Sequence, residues 1–167
     1  MRQQKNRETS PAVEMVQFAY TAATDIARRR FTSPDDDWAP MLFFRTPAGV
    51  MHVVAVPMIE GHKDDIAAAI AVMLKMNKAT EAVLLTSAWM VARPAGTTGV
   101  EDLRPSQQPD RREVLVLSGV DQAVAVTQAA FIQRHSDQPP TLGELDDMAE
   151  GPGIAGRFID ALRLGIG

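Results

Sequence analysis

No cysteine occurs in the 167 residues, and that one absence removes disulfides, thiolate metal sites, iron–sulfur clusters and a cysteine nucleophile together. Histidine is nearly as scarce: His52, His62 and His135 are the only side chains with an ordinary pKa near neutrality, and none stands at the spacing of a helical metal-binding pair. An excess of basic charge is also lacking. The formal net charge is −4, so the chain as a whole has no electrostatic pull toward a phosphate backbone, and nucleic acid is not expected as a partner. The longest apolar runs are around ten residues, well short of the ~20 that span a bilayer, so no membrane is expected either. The basic, polar start Met1-Arg2-Gln3-Gln4-Lys5 is not followed by the apolar core of a signal peptide. These absences together predict a soluble, cytoplasmic protein.

Familiar reactive patterns are missing as well. No glycine-rich strand-to-helix loop is present to cradle phosphates; Gly96-Thr97-Thr98-Gly99 lacks the lysine of a nucleotide loop and reads as a turn. No serine lies in a nucleophile elbow, and the ligand pattern of zinc deaminases is absent. The acidic run Asp35-Asp36-Asp37 lacks the spaced oxygen ligands and closing glutamate of a calcium loop. No catalytic residue, metal ligand or cofactor is therefore assigned.

What the chain does contain is ordinary globular material, 46% hydrophobic and 23% charged, enough to bury roughly 70% of its unfolded surface around one core. Residues 1–9 read as a flexible tail and 10–167 as a single domain. Ser10-Pro11 supplies an N-cap hydroxyl and a proline at the first helical position. The helix that follows carries Val13, Val16, Tyr20, Ala23 and Ala27 at helical spacing and closes on Arg28-Arg29-Arg30, where cations meet the negative end of the helix dipole. Strands are predicted over 41–46 and 50–56, joined at Pro47-Ala48-Gly49 as a hairpin. A second helix over 64–78 has Ile66, Ile70, Met73, Leu74 and Asn77 on its inward stripe, with alanines at 67, 68, 69 and 71 suited to close packing on a sheet.

The run 82–91 is apolar on both alternating faces, as a strand near the middle of a sheet should be. Residues 93–112, rich in proline and glycine, form a long irregular connection. Two more strands, 113–118 and 124–132, make a hairpin around Gly119 to Asp121. Thr141 with Glu144 spells a capping box and predicts a short helix ended by Gly151-Pro152-Gly153, before a last amphipathic helix through Ile154, Phe158, Ala161 and Leu162. The expected fold class is α+β: a single five-stranded, mostly antiparallel sheet with helices packed on one face, in the order α-β-β-α-β-β-β-α-α. The crossing through the 64–78 helix allows one parallel pair.

One segment stands out. It comprises Trp89 and, beyond it, Leu103-Arg104-Pro105-Ser106-Gln107-Gln108-Pro109-Asp110-Arg111-Arg112-Glu113-Val114. Ala88-Trp89, Pro105-Ser106, Pro109-Asp110-Arg111 and Glu113-Val114 resemble a widespread family of uncharacterised bacterial and phage proteins, in which an Ala-Trp strand precedes a loop of the form P-S-x-x-P-D-R-x-E-V. The resemblance covers about a fifth of the chain and implies a shared fold without an assigned activity. It also implies an acidic residue before the Ala-Trp pair and a histidine before the second proline, where this chain has Ser87 and Gln108.

The loop has a purely structural reading: Asp110 bonding nearby amides, Arg111 forking onto a carboxylate, and prolines stiffening a crossover. It also has a binding reading, in which Arg104, Ser106, Asp110, Arg111 and Arg112 with Trp89 receive an anionic small molecule or the acidic surface of another protein. The expected function is that of a non-catalytic binding or interaction protein, a small regulator or phage accessory protein, acting through this loop or an exposed strand edge. Self-association into a homo-oligomer is compatible with it. The alternative is a hydrolase or transferase with a site assembled from dispersed residues such as His52, His62, Asp110 and Arg111.

Overall fold

The computed structural model describes residues 10–91, 110–148 and 156–167. Their elements, in chain order, are α1 (Pro11–Arg30), β1 (Met41–Arg45), β2 (Met51–Ala55), α2 (Lys63–Met76), β3 (Glu81–Met90), β4 (Arg112–Asp121), β5 (Ala125–Gln133), β6 (Thr141–Leu142), β7 (Asp146–Asp147) and α3 (Gly156–Ile166). The helix signals at the start act as read: Ser10 Oγ accepts the Val13 amide at 3.2 Å, and Pro11 opens the first turn. The first hairpin also forms at its predicted turn. Gly49 takes φ +80, its amide donates to Thr46 O at 2.9 Å, and Thr46 N donates to Val50 O at 3.0 Å.

The strands line up as β2-β1-β3-β4-β5-β6, with β7 also on β5, and all of these pairs are antiparallel. The α+β expectation therefore stands, but the sheet has seven strands rather than five. The parallel pair does not form, because α2 carries the chain over β1 and sets β3 on its far side, leaving β1 between β2 and β3.

Helices on one face only is the second expectation to be corrected. Phe43, Val83, Leu85, Leu115 and Leu117 pack on one side against Met15, Val16, Ala19 and Ala23 of α1. Leu42, Phe44, Ala82, Leu84 and Val120 pack on the other against Ile70 and Leu74 of α2 and Ile159, Leu162 and Ile166 of α3. Strands apolar on both faces need cover on both, since either face left in water would forfeit its burial energy. The result is a three-layer α/β/α sandwich. The alanines of α2 do not serve the sheet: Ala67 and Ala71 are buried against Ala161 of α3, while Ala68 and Ala69 are exposed. Asn77, placed on the inward stripe, is exposed, and its Nδ2 donates to Met73 O at 2.8 Å at the end of the helix.

Two further segments depart from expectation. Gly119 to Asp121 are not a turn but the last residues of β4; the chain reverses after them, where Asp121 N donates to Val124 O at 3.0 Å. The capping-box sequence at Thr141 starts no helix. Thr141 Oγ1 instead donates to Gln133 Oε1 at 3.3 Å, Gly143 N donates to Phe131 O at 2.9 Å, and Tyr20 Oη of α1 donates to Gly143 O at 2.6 Å. With Leu142 and Leu145 packed into the α1-side core, the segment does better as β6 and β7 laid along β5 than as a short helix interrupted by glycine. No described helix is long and apolar enough to cross a membrane.

Candidate functional site

Those singled-out residues that are described lie at one end of the sheet. Arg104 and Ser106 lie outside the described residues, as do the 1–9 tail, Gly96 to Gly99 and Gly151 to Gly153. Trp89, Asp110, Arg111 and Arg112 are described. The β3–β4 register sets Trp89 opposite Glu113 and Met90 opposite Arg112, so strand alternation sends Trp89 and Glu113 to the α1 face, and Met90 and Arg112 to the other.

On the α1 face the Arg111 guanidinium lies over the Trp89 ring, 4.8 Å from its centroid, within cation–π range. Trp89 remains 43% exposed. The contrast with the other tryptophan is sharp: Trp38 is 2% exposed, and its indole N–H donates to Ala23 O at 2.8 Å. On the opposite face the Arg112 guanidinium lies 3.5 Å from the centroid of Phe131, a ring packed against the cluster of Val114, Val116 and Ala129.

A guanidinium–carboxylate fork at this end of the sheet is made by Arg134. Arg134, just past β5, donates from Nε to Glu113 Oε2 at 2.9 Å and from Nη2 to Glu113 Oε1 at 2.7 Å. Its Nη1 donates to Asp36 O at 2.6 Å, and Asp37 Oδ1 lies 3.3 Å from Nη2. The hydrogen bond to Glu113, ahead of the charges of Glu113 and Asp37, holds this guanidinium still more firmly protonated than usual. Arg134 thus pins the loop after α1 to the sheet. The acidic triplet there is engaged in structure: Asp36 accepts the amides of Ser33 at 2.8 Å and Thr32 at 2.6 Å, which hold its carboxyl below the usual range.

Replacing Arg134 with methionine is expected to cost about 1 kcal/mol, a bidentate pair discounted for its partial exposure. Urea midpoints would measure the loss, and amide exchange over 33–37 would localise it. A variant matching the parent in both would mean the clamp carries no load.

Arg134 and Glu113 went unpaired in the sequence for a geometric reason. A turn centred on Gly119 to Asp121 would set Glu113 opposite Thr127. The actual reversal sets Val114 opposite Phe131, hence Glu113 in the row of Ile132 and one diagonal step from Arg134.

His52 lies far from the end of the sheet that carries Arg111 and Arg112. His52 on β2 stacks on Phe44 at 4.8 Å, and Phe44 is registered with Ala82, which is registered with Val120. That row lies eight residues along β4 from Arg112, or roughly 26 Å at strand rise. His62 heads α2, 3.5 Å from Asp65, and His135 lies 3.1 Å from Thr141 Oγ1. Among the described residues, no three His, Asp or Glu side chains gather where they could hold a metal ion. A hollow of about 200 Å³ between the β4–β5 turn and the end of α3 is lined by Asp121, Gln122, Val124, Arg163 and Ile166, and Asp121 there is committed to backbone amides.

Three further arginines lie toward the same end as Trp89. The start of α1 is tied to Asp121 at one end of β4, and its 20 residues run about 30 Å, roughly the length of β4. Exposed Arg28, Arg29 and Arg30 therefore close α1 toward the end where Arg111 and Arg112 open β4. Compared with protein-family models, with curated proteins and with solved structures, the chain matches none at a significant level.

Proposed function

We propose that this protein is a non-catalytic interaction module whose recognition surface is the arginine-rich end of the sheet, centred on Trp89 and Arg111, and whose partner is a protein presenting carboxylates there. The observation that carries the reading is the exposed Arg111–Trp89 stack. A large aromatic ring left 43% exposed forgoes burial energy that Trp38 collects in full. Tryptophan and arginine are also the residue types that contribute most per residue at protein interfaces. Arg112 and the Arg28 to Arg30 run add positive charge at that end, whereas the Glu113 carboxylate is answered within the chain by Arg134. The strand-and-loop signature shared with the resembled family is, on this reading, the recognition element itself.

The test is capture from the native host on the immobilised full chain, with elution by poly-glutamate and comparison of the parent with Trp89→Ala and Arg111→Ala. Retained proteins should fall by about tenfold or more with either substitution while the melting temperature holds, as expected of an interface anchor. Equal retention by all three would refute the reading. A strong fall in melting temperature with Arg111→Ala at unchanged retention would make the stack scaffolding.

A further inference from the structure

The two edges of the sheet are treated differently. β5 is covered by two short strands, β6 and β7. β2 pairs only with β1 and has no neighbour among the described residues on its other side. Open edges in monomeric proteins are ordinarily blunted with charge, proline or a bulge, because they template pairing with another chain. β2 has none of these: Met51-His52-Val53-Val54-Ala55 contains no lysine, arginine, aspartate, glutamate or proline, and it pairs with β1 residue for residue.

The hydrogen-bond pattern shows which groups face outward. Thr46 N donates to Val50 O, and Val56 N donates to Pro40 O. Antiparallel pairing alternates, so the even-numbered residues 50, 52, 54 and 56 turn their backbone groups toward β1. Met51, Val53 and Ala55 therefore direct both N–H and C=O to the open edge. The side chains of these same residues lie on the α1 face, where Val53 is 54% exposed. Val53 is registered with Phe43, whose ring meets that of 48% exposed Phe18 edge-on at 6.2 Å. An apolar strip thus runs out to the edge and stops there.

We infer that β2 pairs with β2 of a second copy of this chain, antiparallel about a two-fold axis at Val53, joining two sheets into one. Val53 meets Val53 of the partner subunit, and Met51 and Ala55 meet each other in both directions. All the outward groups of the three residues are then satisfied, by six hydrogen bonds that are each other's symmetry mates. The register is bounded on both sides. A shift that centres the axis on Ala55 brings in Pro57, which has no N–H to give. A shift that centres it on Met51 brings in Gly49, whose N–H is already bound to Thr46 O at 2.9 Å. The Val53-centred register also sets no like charges opposite one another, and it covers the exposed valine at the end of the apolar strip. Self-complementarity of this kind favours a second copy over an unrelated strand. The inference is independent of the Trp89 surface.

Sedimentation equilibrium of the full chain as a concentration series is the direct test. The parent should approach twice the 18.2 kDa chain mass, and amide exchange at Met51, Val53 and Ala55 should slow as the dimer fills. Val53→Lys sets lysine against lysine and should raise the dissociation constant by about tenfold or more. Val53→Pro removes the central outward donor without costing a β1 bond and should do the same at a retained circular-dichroism spectrum. A parent that stays monomeric up to roughly 1 mM overturns the inference. So does a dimer in which those three amides exchange as fast as in dilute solution, which would locate the contact elsewhere whether or not the variants fold.

Discussion

Replacing Asp121 with alanine is expected to lower stability by about 3 kcal/mol, the sum of three amide partners at ~1 kcal/mol each. For a chain of this size that corresponds to a melting-point drop of about 6–12 °C. Asp121 is only 8% exposed, and three backbone amides donate to its carboxylate. Oδ2 accepts the Ala12 amide at 3.0 Å, across 109 residues of sequence, at the start of α1. Oδ1 accepts Ala123 N at 2.7 Å and Val124 N at 2.9 Å, closing the β4–β5 turn. One carboxylate therefore fixes the turn and docks the positive end of a helix, where its charge is also favourable. Truncation would strand the buried Ala12 amide and leave the part-buried amides of Ala123 and Val124 without this acceptor. Asparagine keeps one acceptor oxygen but turns an N–H₂ toward one of the amides, so Asp121→Asn should lose about half as much. Thermal unfolding of the three proteins side by side measures the series, and an alanine variant within about 0.5 kcal/mol of the parent would show that solvent replaces the carboxylate.

Two residues earlier, Gly119→Val should be at least as damaging, at about 3 kcal/mol from overpacking. A Cβ built at Gly119 falls 2.7 Å from Val16 Cγ2, 3.1 Å from Ala12 O and 3.3 Å from Val83 Cγ2. α1 can lie this close to β4 only because no side chain stands between them. Gly119→Ala should cost about 1–2 kcal/mol by the same argument. A double-mutant cycle identifies the cause: Val16→Ala removes the nearest of these atoms, so Gly119→Ala should cost about 1 kcal/mol less in that background. Strict additivity would place the strain against the Ala12 carbonyl instead. The same device recurs between the helices of the other layer, where a Cβ at Gly165 would fall 2.7 Å from Leu74 Cβ.

Gly119 also marks where the sequence misleads. Beside an aspartate and between two β-rich runs, a glycine reads as a turn, yet here it is a strand residue kept small for a helix that arrives from more than 100 positions away. A turn at Gly119 to Asp121 would give β4 a different register against β5 and separate Glu113 from Arg134, because a change of register reassigns every cross-strand neighbour. Thr141 and Glu144 mislead in a similar way. Their spacing suits a capped helix, but the backbone groups of Gly143 find Phe131 and Tyr20, which only the folded sheet brings within reach. Trp89 and Arg111 stand out in the sequence through the resemblance and the arginine chemistry of the loop; their stacking depends on β3 and β4 being neighbours.

Local chemistry along the chain was sufficient for α1 with its Ser10-Pro11 cap, the Gly49 hairpin, α2, the doubly apolar β3 and the amphipathic α3, because each is specified by spacings within a few residues. The seven-strand order, the sharing of helices between both faces, the Arg134 clamp and the open edge at β2 were decided only when distant segments met. Their determinants are register and close approach between parts of the chain far apart in sequence, and periodicity within a segment carries no record of those.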